Sequence, residues 1–64
     1  MDGTDRDNIR PGRCVAIVQK QHQATGELTE GIVAEILTSA TYHPWGIKVR
    51  LQSGEVGRVY KILE

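Results

Sequence analysis

The 64-residue chain predicts an all-β fold: a small, strongly bent barrel of four to five strands with one short helical turn near its N-terminus. Three observations carry that expectation. Ile47, Val49 and Leu51 alternate strictly with Lys48, Arg50 and Gln52, the pattern of a strand with one buried face. Ser53-Gly54 then reads as a hairpin turn, and Glu55-Val56-Gly57-Arg58-Val59 returns antiparallel. The hydrophobic share of 39% rests on Val, Ile, Leu and Ala, with seven Gly and no Phe, which suits a turn-rich β domain better than a helical bundle.

Taken in order, Thr4-Asp5-Arg6-Asp7 has capping-box spacing with Asp in place of Glu, so a helical or 3₁₀ turn is expected over residues 5–9. Pro11-Gly12 stops it, and Arg10 before the proline is driven toward an extended conformation. Residues 14–20 are a β-branched run of strand length. A polar stretch, residues 21–27, follows it. Over residues 28–40 the pattern is divided. Leu28, Ile32, Val33, Ile36 and Leu37 fall on a helical stripe, yet Gly31 sits inside and β-branched residues follow it. A bent strand with Gly31 at the bend or bulge is the expectation. In the second hairpin a two-residue loop, Ser53-Gly54, sets Leu51 opposite Val56 and Val49 opposite Arg58, which one face cannot satisfy. A bulge at Gly57-Arg58 resolves the conflict, turning Val59 inward and bringing Arg58 near Arg50. The expected wall is Val15, Ile17, Val33, Ile36, Ile47, Val49, Leu51, Val56, Val59 and Ile62. Short bent strands with tight Gly turns are the pattern of an SH3-like barrel.

At this length there is one domain, residues 1–64, with an acidic and partly flexible segment at 1–8. A chain so short buries only about 60% of its unfolded surface, so the core must be small. No apolar run approaches a membrane span, no apolar signal core opens the chain, and the lone Cys14 excludes an internal disulfide. A cytoplasmic protein is expected. The zero net charge is unevenly spread: residues 1–7 sum to −2, whereas 8–63 carry seven cations against four acids, a net +3. That mild basic excess is compatible with a polyanionic partner.

With these segments placed, the chain resembles a known group. Ile9-x-Pro11-Gly12, Ile17-Val18-x-Lys20, Gln23-x-Thr25-Gly26-x-Leu28-Thr29-x-Gly31-x-Val33 and Ile36-Leu37-Thr38 are similar to the YwbE-like family of short bacterial and archaeal proteins. His43-Pro44-x-Gly46-Ile47-Lys48-Val49-Arg50-Leu51-x-x-Gly54-x-Val56-Gly57-Arg58-Val59 continues the match. The resemblance spans residues 6–62 and implies a one-domain protein; the family is uncharacterised, so it implies no activity. Gly31-x-Val33-x-x-Ile36 with a basic hairpin downstream also resembles, in a shorter pattern, the KOW-type SH3-like modules of ribosome and transcription proteins.

Enzymatic chemistry has few candidates. Cys14, His22 and His43 are the available nucleophile and bases, and no acid stands at motif spacing to either histidine. Cys14 in an apolar strand reads as a small buried hydrophobe. No Cys-x-x-Cys or paired-histidine spacing supports zinc. The expectation is no catalysis, no metal and no organic cofactor. The segment Thr41-Tyr42-His43-Pro44-Trp45-Gly46 is more informative, since a proline-stiffened loop can hold flat rings outward to stack on bases or grip a peptide. Trp45 alternatively caps one open end of the barrel. Lys48 and Arg50 follow on the polar face, with Arg58 and Lys61 on the returning strand. Cations for phosphates beside Tyr42, His43 and Trp45 for bases are what a single-stranded or ribosomal RNA surface needs. A protein or peptide partner using the same loop and a strand edge is the alternative, and a plain solvated face, protecting an edge from aggregation, is the blander reading. The polar residues 20–29 form either a recognition loop or an ordinary connection. The oligomeric state is left open.

Overall fold

The alternating and β-branched segments form four strands in a computed structural model, which describes residues 3–63. They are β1 (Cys14–Gln19), β2 (Thr29–Ile36), β3 (Lys48–Leu51) and β4 (Val56–Ile62), with 3₁₀ turns at Arg6–Asn8 and Lys20–His22. All pairings are antiparallel, and the order β1-β2-β3-β4 closes on itself as a small SH3-like barrel. Residues 28–40 therefore resolve in favour of a strand. The Lys20–His22 turn was not foreseen from the polar composition of that stretch.

Closure rests on the two long strands, each of which serves two partners. The first half of β2 pairs with β1, from Ile17↔Thr29 to Cys14↔Ile32, and its second half pairs with β3, from Val33↔Leu51 to Ile36↔Val49. Likewise β4 gives residues 56–58 to β3 and residues 57–62 to β1. Each long strand carries one extra residue. Val33 and Glu35 oppose the adjacent residues Leu51 and Arg50, leaving Ala34 bulged. Val59 and Lys61 oppose the adjacent residues Ile17 and Ala16, leaving Tyr60 bulged. A bulge bends its strand and shifts the inward face by one residue. Val33 and Ile36, and equally Val59 and Ile62, can then both turn inward at a spacing of three.

Two expectations are corrected here. Gly31 is not the bulge: it stays in register opposite Val15, and a Cβ on it would lie 2.7 Å from Leu51 Cδ1. Its bare backbone makes room for Leu51. Nor is there a bulge at Gly57-Arg58. The Leu51 N–H donates to the Glu55 carbonyl at 2.8 Å and the Gly54 N–H to the Leu51 carbonyl at 2.9 Å, so the loop has three residues, 52–54. Gly54, at φ +104°, supplies the left-handed residue that such a loop requires. That single added residue sets Arg50 opposite Val56 and Lys48 opposite Arg58. Val56 accordingly leaves the wall and is half-buried on the outer face, and Arg58 neighbours Lys48 instead of Arg50.

The core comprises Ile9, Val15, Ile17, Val33, Ile47, Val49, Leu51, Val59 and Ile62, with Ile36 packed against it. Ile9 was missing from the expected set because it follows the N-terminal turn rather than lying in a strand. That turn is capped by Asp5, whose Oδ1 accepts the Asp7 N–H at 3.1 Å, and not by Thr4. Cys14 is half-buried at the head of β1.

Side chains on the two faces of the hairpin should therefore respond differently. Ile47→Ala empties a fully buried site and is expected to cost about 2–4 kcal/mol, a large share of the stability of so small a domain. Val56→Ala should cost under about 1 kcal/mol. Urea unfolding followed by circular dichroism measures both. A Val56 loss equal to that of Ile47 would restore the two-residue loop register.

Candidate nucleic-acid interface

The aromatic segment is held by the chain's N-terminal stretch. The Arg6 N–H donates to the Thr41 carbonyl at 2.8 Å, the His43 N–H to Thr4 at 2.9 Å and the Ile47 N–H to Gly3 at 2.7 Å, with Asp5 bridged to Tyr42. Within it, residues 43–46 form a tight turn: the Gly46 N–H donates to the His43 carbonyl at 3.0 Å, with Pro44 at the second position, where its fixed φ is favoured. The Trp45 N–H donates to His43 Nδ1 at 3.2 Å, so this imidazole acts as an acceptor at Nδ1. Gly46 has φ +100°, and a Cβ there would lie 2.4 Å from the Val59 carbonyl oxygen. Arg58 Nη1 donates to the Gly46 carbonyl at 3.1 Å, tying β4 to the turn.

What approaches the barrel at this point is the Gly46 main chain, and the indole stays outside. Trp45 is 80% exposed and Tyr42 60% exposed. The reading of Trp45 as a barrel cap is thereby overturned, and a rigid turn presents its ring to solvent.

Facing this turn is the polar loop after β1. The Thr25 and Gly26 N–H groups both donate to the His22 carbonyl, at 3.3 and 2.8 Å, and His22 Nε2 lies 2.8 Å from a Glu27 carboxylate oxygen. Gln19 Nε2 donates to Thr29 Oγ1 at 2.9 Å across the loop base. The loop is thus folded, with the His22 side chain as its internal tie, although His22 Nδ1 is buried without a hydrogen-bond partner.

Three adjoining hollows of about 650, 470 and 250 Å³ share Val18 and Arg58 and together make a cleft. The middle one lies between the two loops, the largest extends to the β3–β4 hairpin and the smallest to Gly3 and Thr4. The largest is bordered by Lys20, Gln21, Gln23, Lys48 and Glu55. The middle one lies among Gln23, Gly26, His43 and Trp45. The smallest lies among Pro44, Trp45 and Tyr60, the last 64% exposed. Among the described residues neither Lys20 nor Lys48 has an ion-pair partner. Glu55 supplies the acid on the rim, and the Ser53 hydroxyl donating to its carboxylate holds its pKa below the ordinary value.

Of the residues singled out in the sequence, the fold gathers His43, Trp45, Lys48 and Arg58 along the cleft. Tyr42 projects from the same loop but lines none of the three hollows. Arg50 forms an ion pair with Glu35 on β2, and Lys61 lies exposed beyond the Tyr60 bulge, opposite Ala16. Lys20 and Gln23 come from the segment 20–29, read as either a recognition loop or an ordinary connection, whereas Val18 and Tyr60 were missed. Tyr60 alone left a trace in the sequence, because inward Val59 and Ile62 three apart require an extra outward residue between them. Among the described residues no group of three or more His, Cys, Asp and Glu is placed to hold a metal ion.

The family described as "Uncharacterized conserved protein (DUF2196)" matches residues 2–62. The chain belongs to this YwbE-like family. It is 49% identical over 63 residues to the "Uncharacterized protein YwbE" of Bacillus subtilis (strain 168), covering 98% of this chain and 97% of that one. No solved structure matches it. The membership confirms the family resemblance seen in the sequence and brings no activity with it. No helix among the described residues is long and apolar enough to cross a membrane.

The geometry separates two neighbours in the aromatic turn. Trp45→Ala should cost under about 0.5 kcal/mol, as exposed substitutions do. Gly46→Ala should cost about 2 kcal/mol or more, because it forces a left-handed φ on alanine and drives its Cβ against a backbone carbonyl. Thermal melts of the two variants test the pair, and a large loss for Trp45→Ala would return the indole to the core.

Proposed function

We propose that this protein is a non-enzymatic, cytoplasmic module that binds single-stranded RNA, ribosomal RNA included, in the cleft between the aromatic turn and the polar loop. The observation that carries the proposal is the exposed Trp45 indole beside a cleft floored by Arg58 and flanked by Lys20 and Lys48, neither of them ion-paired among the described residues. Lysines are suited to phosphate and flat rings to bases, and that combination binds single strands with little sequence preference. Both imidazoles are engaged in structural bonds, His22 to Glu27 and His43 to the Trp45 N–H, which favours a binding role over a catalytic one. A peptide that adds itself as a strand needs an unpaired sheet edge. In the closed order each strand has two neighbouring strands, so the stretches of β2 and β4 paired on one side alone are short, and this weighs for RNA over that peptide mode.

Fluorescence anisotropy with a labelled mixed-sequence single-stranded RNA at several salt concentrations tests the proposal. Affinity should fall linearly in log–log terms, and Lys20→Ala and Lys48→Ala should each flatten the slope by about 0.7. Arg50→Ala, already neutralised by Glu35, should leave the slope nearly unchanged. Absence of binding at low salt and millimolar RNA, or salt-insensitive capture of an apolar peptide in its place, would overturn the reading.

A further inference from the structure

Trp45 lines two hollows at once: the middle one, toward His43, Gln23 and Gly26, and the smallest one, toward Pro44 and Tyr60. Arg58 and Val18 run beneath both. Resting on the RNA-binding reading, we infer that Trp45 is a wedge between two consecutive nucleobases, and that the recognised unit is a dinucleotide step. One base lies in the middle hollow against the indole. The next lies between the indole and the Tyr60 ring, and the phosphate joining them passes over the Arg58 guanidinium.

The chemistry of the walls fits this division. An indole exposed on a turn has two faces, and each can stack on a base because every base offers a π-face. Tyr60 is turned outward by the bulge that closes β4 onto β1, which gives the smaller hollow an aromatic wall of its own. The side-chain amide of Gln23 makes no hydrogen bond among the described residues, so its donors and acceptor are free for the edge of the base in the middle hollow. Arg58 is held by its bond to Gly46 and so presents a fixed, half-buried cation to the linking phosphate. Lys20 and Lys48 border the largest hollow and would follow the strand onward from the first base.

The chain contains one tryptophan, so its fluorescence, excited selectively beyond the tyrosine absorption, reports on this position alone. Titrations with a mononucleotide, a dinucleoside monophosphate and a ten-nucleotide RNA, and a matching single-stranded DNA, separate the outcomes. The wedge requires that the dinucleotide quench Trp45 and bind at least about tenfold more tightly than the mononucleotide, with each stack supplying roughly 1–3 kcal/mol. Tyr60→Ala should weaken the dinucleotide by about five- to a hundredfold and the mononucleotide, which can still stack in the middle hollow, by much less. Tyr60→Phe should retain wild-type affinity. Tyr60→Leu keeps an apolar side chain if the alanine variant does not fold. Equal affinities for one and two nucleotides, or a Tyr60→Leu variant that binds the dinucleotide normally, overturn the wedge while RNA binding stands. A ten-nucleotide RNA that neither binds nor quenches overturns both, and DNA bound as tightly as RNA keeps the wedge, since stacking and phosphate contacts are common to both strands.

Discussion

Four strands of four to eight residues cannot close a barrel if every strand runs straight and every side chain alternates without interruption. One extra residue in each long strand meets that constraint here: Ala34 in β2 and Tyr60 in β4. Each lets its strand leave one partner and join another, and each resets which face points inward. The core, the closed order of the four strands and the outward aromatic of the cleft all follow from those two insertions. Removing either residue would turn the following apolar side chain, Ile36 or Ile62, away from the core.

Much of this was legible in the residues, and the errors have a common physical source. The alternation from Ile47 to Leu51 is uninterrupted, so β3 could be read directly. The three-residue spacings Val33 to Ile36 and Val59 to Ile62 also announced two bulges, but the bulges were assigned to Gly31 and Gly57-Arg58. Glycine attracts that assignment because it is conformationally permissive. Gly31, however, is small for the sake of a neighbour's side chain, Leu51, which lies twenty residues away in the chain and is adjacent only in the fold. A hairpin loop of two residues against three is a local choice that sequence leaves nearly balanced, and it moved every partner of β3 by one.

The candidate site was half legible for the same reason. His43, Trp45 and Lys48 are near neighbours in sequence and could be read as a group. Val18, Lys20, Gln23 and Tyr60 come from the other side of the chain's path, and only the pairing of β1 with β4 brings them to the same cleft. Net charge was a poor guide. The sum of zero conceals a segregation in which Glu30 and Glu35 occupy β2, where Glu35 neutralises Arg50, while Lys20, Lys48 and Arg58 surround the cleft. Short-range attraction of a polyanion depends on that local excess more than on the total.

The seam between β1 and β4 also has a temporal consequence. β1 is made early, and its second hydrogen-bonding partner is β4, which is about forty residues further along the chain and emerges some seconds later at ordinary rates of synthesis. Until then the apolar run Val15-Ala16-Ile17-Val18 has one side of its backbone unsatisfied. Once folded, β1 lies between two strands, but until β4 emerges it has one, and crowding of nascent chains is the moment at which it is most open to wrong pairing.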